Sequence, residues 1–237
     1  MNQTIGILGG MGPMATCDLM RKVIDNTHAA ADQEHLRIVV DNNTNIPDRT
    51  AAILGKGEDP RPEMIKSAVR LQSMGANVII VPCNTAHFFL EDVAKCVDVP
   101  ILHMPRETAK LLHTQGVRAA AVLATDGTVQ SGLYDRELRA FGITPVYPNE
   151  EDQKMIMSLI YDYVKAGKDY PYPEKLQAMQ QRLVQQGAEK MILGCTELPI
   201  AFARTETALP AVDPTTVLAQ AAIRHTNSRL KQEHAPV

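Results

Sequence analysis

The chain has 237 residues, 45% of them hydrophobic, and a formal net charge of −3. That is enough for one large domain or two smaller ones with a sizeable core, and too apolar for a disordered chain. The near-neutral charge argues against a nucleic-acid partner, no apolar run reaches the ~18 residues of a membrane span, and four cysteines make no disulfide framework.

The start, MNQTIGILGG, lacks a basic leader and turns glycine-rich at once, so it reads as a first strand and turn rather than a signal peptide. The default location is the cytoplasm, which keeps the cysteines reduced. Pro13 to Asn26 reads as a helix with Leu19, Met20, Val23 and Ile24 on one side. Arg37 to Asn43 is a second apolar run, and Pro62 to Met74 a helix with Ile65, Val69 and Leu71 as its apolar positions. NVIIVPCNT is a third strand, and Val99 to His103 is expected to be a fourth. Continuous β-branched runs separated by helices are the pattern of a parallel sheet buried on both faces.

The second half repeats the plan. Arg118 to Thr128 is a strand ending in a turn, and Lys190 to Pro199 is another. LVQQGAEKMILGCTE, from Leu183, echoes LQSMGANVIIVPCNT, from Leu71. Cys83 and Cys195 lie 112 residues apart, and the turns ILGGMG at Ile7 and VLATDG at Val122 lie 115 apart. Two matches at nearly one offset indicate internal duplication. The expected fold is therefore α/β: two similar lobes, each a parallel sheet flanked by helices, with the active site in the cleft between them. Residues 1–102 and 208–237 would form the first lobe, and 103–207 the second.

Functional groups in such sheets collect beyond the carboxyl ends of the strands, where Cys83 and Cys195 both fall. A cysteine between a strand end and a helix start lies near backbone N–H groups that favour thiolate, although most free cysteines are simply small buried hydrophobes. Asn84 and Thr85 can cap a helix or donate to a bound anion. Around Cys195, Gly194 permits close backbone approach, Thr196 repeats the polar neighbour, and Glu197 can orient the thiol. Two thiols on opposite walls of a cleft suit racemisation at a carbon acid: one removes the α-proton, and the other protonates the planar intermediate from the opposite face. Electrostatic stabilisation of the carbanion would make a cofactor unnecessary.

GILGGMGP near the start, PCNTAH around Cys83 and GCTELP around Cys195, in that order and spacing, resemble the aspartate/glutamate racemases, and the aspartate racemase branch in particular. The resemblance spans essentially the whole chain. It implies two lobes related by a pseudo-twofold axis, one catalytic cysteine from each, no pyridoxal phosphate or metal, and a homodimer. It also implies that Cys195 takes the proton from the L-enantiomer and Cys83 from the D-enantiomer. By motif, Arg49 in NIPDRT and Lys165 in YDYVKAG match the cations that hold the substrate's side-chain carboxylate. Asn84, Thr85 and Thr196 match residues at the α-amino-acid head, Thr125 matches a site threonine, and Met11 is expected to line the pocket. A dicarboxylic substrate needs such fixed positive partners on chemical grounds too.

Other features carry less. His87 is close enough to Cys83 to suggest a Cys–His couple, but it is expected to face the helix side. Cys17 and Cys96 lack the repeated context and are expected to be structural. Gly6, Gly9, Gly10 and Gly12 do not have dinucleotide-fingerprint spacing, and no His/Cys group has zinc spacing. Hydantoin racemases, maleate isomerases and arylmalonate decarboxylases share this scaffold, but Arg49 and Lys165 favour an acidic amino acid, and a decarboxylase of that family needs only one cysteine. A two-lobed binding protein without catalysis suits duplicated lobes as well. A thiol–disulfide role lacks a CxxC pair.

Overall fold

The computed structural model describes residues 3–203 and 207–231. It contains two parallel sheets. The first has the order β2-β1-β3, from β1 (Thr4–Gly9), β2 (Arg37–Asn42) and β3 (Val78–Ile80). The second has the order β5-β4-β6-β7, from β4 (Ala119–Ala124), β5 (Thr144–Val146), β6 (Lys190–Gly194) and β7 (Ala211–Val212). Every pairing is parallel, with Ile7 beside Val40 and Ile80, and Val122 beside Ile192.

The apolar runs are continuous because both faces of each sheet are covered. All six residues of β1 are buried. Ile5 and Ile7 pack with Leu218 and Ile223 on one face, while Leu8 packs with Leu71, Ile79 and Val81 on the other. In the second sheet, Val122 joins Leu138 and Val212, and Leu123 joins Leu159 and Leu176. Each such side chain contributes about 1.5–3 kcal/mol on burial.

The helix Pro13–Asn26 lies where the sequence places it, but its buried residues are Thr16, Leu19 and Val23; Met20 and Ile24 are exposed. The next long helix runs Arg61–Ser73, and its buried stripe is Met64, Ser67, Ala68 and Leu71. Of the expected apolar positions only Leu71 is fully buried, and Val69 faces solvent. The stripe follows the i, i+3, i+4, i+7 spacing from Met64, which leaves Val69 off the face.

Val99 to His103 is not a strand. One bridge joins Ile101 to Ile79, whose N–H donates to the Pro100 carbonyl at 2.9 Å and whose carbonyl accepts from the Leu102 N–H at 3.0 Å. Pro100 has no N–H to extend the ladder. The same role in the second sheet falls to β7, which follows Pro210 and pairs with β6, although it lies beyond the expected boundary at residue 207/208. Counting that bridge, the two sheets have the same order.

The last helix of each half crosses over. Pro214–His225 follows β7 but packs on Pro13–Asn26 and β3 of the first sheet. Met104–Thr114 follows the Ile101 bridge but packs on Leu133–Ala140, beside the second sheet.

Candidate active site

Each sheet's third strand delivers a cysteine: Cys83 lies three residues past β3 and Cys195 directly follows β6. The two cysteines line one pocket between the lobes. All ten residues expected at the site line it: Met11, Arg49, Cys83, Asn84, Thr85, Thr125, Lys165, Cys195, Thr196 and Glu197. Asp48, Thr50, Tyr161 and Gly194 complete the wall.

The glycine turn after β1 brings Met11 in. Gly10 has φ of +93°, and a Cβ there would sit 2.2 Å from the Asn43 carbonyl oxygen, so only glycine fits. Arg49 opens the short helix Arg49–Ile53, which is capped by Asp48. Its Nη1 donates to the Pro47 carbonyl at 2.8 Å and Nη2 to the Met11 carbonyl at 3.4 Å, while its buried Nε has no protein partner. Lys165 follows a π-helical turn, Leu159–Val164, that also carries Tyr161; the ammonium sits 4.4 Å from the centre of the Tyr161 ring. Burial opposes the charge on Lys165, but Glu197, Tyr161 and both thiols raise its pKa above the ordinary lysine value.

Around Cys83, Asn84 caps the 3₁₀ turn Thr85–Phe89 by its backbone. Its Oδ1 accepts from the Tyr134 hydroxyl at 2.6 Å, an assignment that leaves the NH₂ group able to donate to a ligand. The Thr85 hydroxyl is 2.9 Å from that of Thr128 and 3.4 Å from that of Thr125, a cluster that spans the two lobes. Tyr134 and Thr128 were not foreseen, because they act on residues about 40 to 50 positions away and leave no local pattern. His87 is buried: its Nδ1 bonds the Cys83 carbonyl at 2.8 Å and its Nε2 bonds no described protein group, so neither ring nitrogen couples to the thiol. Cys17 and Cys96 are exposed thiols, not core residues.

Cys195 departs from the expected thiolate-favouring setting. Its Sγ–H donates to Glu197 Oε2 at 2.9 Å, and the Thr196 hydroxyl donates to the same oxygen at 3.1 Å. Burial, then the Glu197 charge and hydrogen bond, push the thiol pKa well above its ordinary value, against the pull of Lys165. No group of three or more metal-ligating side chains occurs among the described residues, and no described helix is long and apolar enough to cross a membrane.

Residues 8–222 match the family described as Asp/Glu/Hydantoin racemase. The chain is 29% identical over 228 residues to the broad specificity amino-acid racemase RacX of Bacillus subtilis, an alignment covering 92% of this chain and 96% of that protein. It superposes on the Picrophilus torridus aspartate racemase with a TM-score of 0.81 and 32% identity, covering 97% of this chain and 96% of that one. A putative Asp/Glu racemase from Yersinia pestis shares the fold at a TM-score of 0.83 and 24% identity, covering 95% and 100% of the two chains.

Proposed function

The chain belongs to the Asp/Glu/hydantoin racemase family, and from that premise we propose that it is an amino-acid racemase interconverting L- and D-aspartate by a two-thiol mechanism. The observation that carries the reading is one pocket lined by a cysteine from each sheet together with Arg49 and Lys165. The two cations take the side-chain carboxylate, and Asn84, Thr85 and Thr196 take the α-amino-acid head. Thr125 and Met11 complete the walls of the site. One thiolate removes the α-proton, leaving a planar carbanion, and the opposite thiol returns a proton from the other face. Fixed donors around the head stabilise the developing charge.

Glutamate is the alternative substrate, since one methylene is worth only about 1–3 kcal/mol in a pocket. The similarity to an aspartate racemase favours the shorter acid. The same reading takes a cytoplasmic homodimer that needs no cofactor, nucleic acid or membrane. Chiral chromatography tests it. Protein dialysed against a chelator should convert L-aspartate to the racemic mixture faster than L-glutamate. No conversion of either acid, or conversion that returns only with added metal or pyridoxal phosphate, overturns the proposal.

A further inference from the structure

The two oxygens of Glu197 meet different partners, with the Thr196 hydroxyl also donating to Oε2 at 3.1 Å. Oε2 accepts from the Cys195 thiol at 2.9 Å, while Oε1 lies 3.9 Å from the Lys165 ammonium. Lys165 is the more exposed partner of that pair, at 39% against 16% for Glu197, and rests over the Tyr161 ring. A cation held at 3.9 Å on an exposed side chain is free to change partner; a thiol held at 2.9 Å by a carboxylate is not.

We propose that Glu197 takes the Cys195 proton when an acidic substrate draws Lys165 away from it, so that the Cys195 thiolate forms only in the occupied site. The inference rests on the racemase reading above and adds to it the step that activates this thiol. Two charges move on binding. The substrate's side-chain carboxylate recruits Lys165, and Glu197, losing its counter-ion in a half-buried site, becomes a better proton acceptor. The substrate's α-ammonium arrives beside the thiol and favours the thiolate. The S–H bond breaks, its electron pair stays on sulphur, and an O–H bond forms at Oε2. The thiolate then takes the α-proton of the L-enantiomer, leaving the pair on carbon, and Cys83 supplies a proton to the opposite face. Cys195 ends as a thiol, Cys83 as a thiolate and Glu197 as a carboxylic acid. The two protons that began on the thiols and the one from carbon are now on Cys195, Glu197 and the product. Loss of the Glu197 proton and reprotonation of Cys83 restore the starting state.

In the structure, burial and the neighbouring carboxylate hold the Cys195 thiol in its protonated form. A resting thiol is also protected from oxidation, which needs the thiolate.

The test is α-proton exchange in deuterated water, followed for each aspartate enantiomer separately by proton NMR. Glutamine at position 197 keeps the shape and loses the acceptor. In Glu197→Gln, exchange from L-aspartate should fall about 100-fold, the lower end of what a positioned acid–base group contributes. Exchange from D-aspartate, which begins at Cys83, should fall much less, so the ratio of L-side to D-side exchange drops, and circular dichroism shows that the variant is folded. Glu197→Asp, which keeps a carboxylate, should recover part of the L-side exchange. If Glu197 only holds the thiol protonated, removing its charge frees the thiolate, and L-side exchange is unchanged or faster; that overturns the relay. Equal loss with both enantiomers, or no recovery in Glu197→Asp, overturns it as well. Wild-type protein that exchanges neither enantiomer overturns the racemase reading, and the relay with it.

Discussion

Arg49 enters the pocket with its guanidinium partly engaged. Carbonyls of Pro47 and Met11 hold Nη1 and Nη2, which fixes the planar group before a ligand arrives. A fork held in this way can meet a carboxylate with little further loss of side-chain freedom. Lysine at this position keeps the charge but not the fork. Arg49→Lys should therefore raise KM for aspartate roughly tenfold and lower kcat, because a displaced α-carbon meets the thiols badly. Steady-state kinetics with both enantiomers checks this, and unchanged constants would remove Arg49 from the binding role. At this scale the sequence was readable where residues sit inside motifs, as Cys83, Cys195, Arg49 and Lys165 do. Tyr161 was missed although it lies four positions before Lys165 in the same YDYVK stretch, because a tyrosine on a helix carries no signal of its own. Tyr134 meets Asn84 only through the fold.

The 3₁₀ turn Thr85–Phe89 holds Cys83 in place, and His87 ties the turn back to the Cys83 carbonyl. Burial first, and then the neighbouring His103, lower the His87 pKa from the ordinary 6.5 to about 3, with nearby backbone carbonyls opposing. Burial likewise lowers His103 to about 4, against the pull of Glu137. The sign follows from proton binding. Below pH 6.5 the unfolded chain takes up protons on both histidines while the folded chain does not, so stability falls as pH falls from 6.5 toward these folded values. At pH 5 each histidine should have cost about 2 kcal/mol relative to neutral pH. Urea unfolding at pH 7 and pH 5 measures the drop, and His87→Gln, which stays neutral, should remove about half of it. An equal drop in the variant would show that His87 does not titrate in this way. Among the elements, long apolar runs such as β1 and β4 were legible from their β-branched and alanine-rich character. β5 and β7 were not, since two or three residues beside a proline are too few to show a period. Proline also decided Val99 to His103, where pattern favoured a strand and the missing N–H limited it to one bridge.

Across the whole molecule, two sequence offsets near 112 and 115 correspond to two sheets of the same strand order, each sending its third strand to a cysteine. What the offsets alone do not contain is the crossing of the final helices, Pro214–His225 onto Pro13–Asn26 and Met104–Thr114 onto Leu133–Ala140. Two equivalent strand ends approach one pocket, and the proposed two-thiol mechanism makes their thiols separable by experiment. On the proposed mechanism, without Cys83 the L-enantiomer would still lose its α-proton to Cys195, but no acid would wait on the far face. Without Cys195, the same holds for the D-enantiomer and Cys83. Each single Cys→Ala variant should lose racemisation by about 100-fold or more. In deuterated water, Cys83→Ala should label L-aspartate slowly without inverting it, and Cys195→Ala should label only D-aspartate. The two rates need not match. Cys195 has the Glu197 carboxylate bonded to its sulphur, whereas Cys83 has no carboxylate bonded to its sulphur among the described residues. Mass and chiral analysis of each enantiomer after incubation with each variant reads the outcome. Labelling of the same enantiomer by both variants, or ready racemisation by either, would mean that the two lobes do not divide the two faces of the substrate between them.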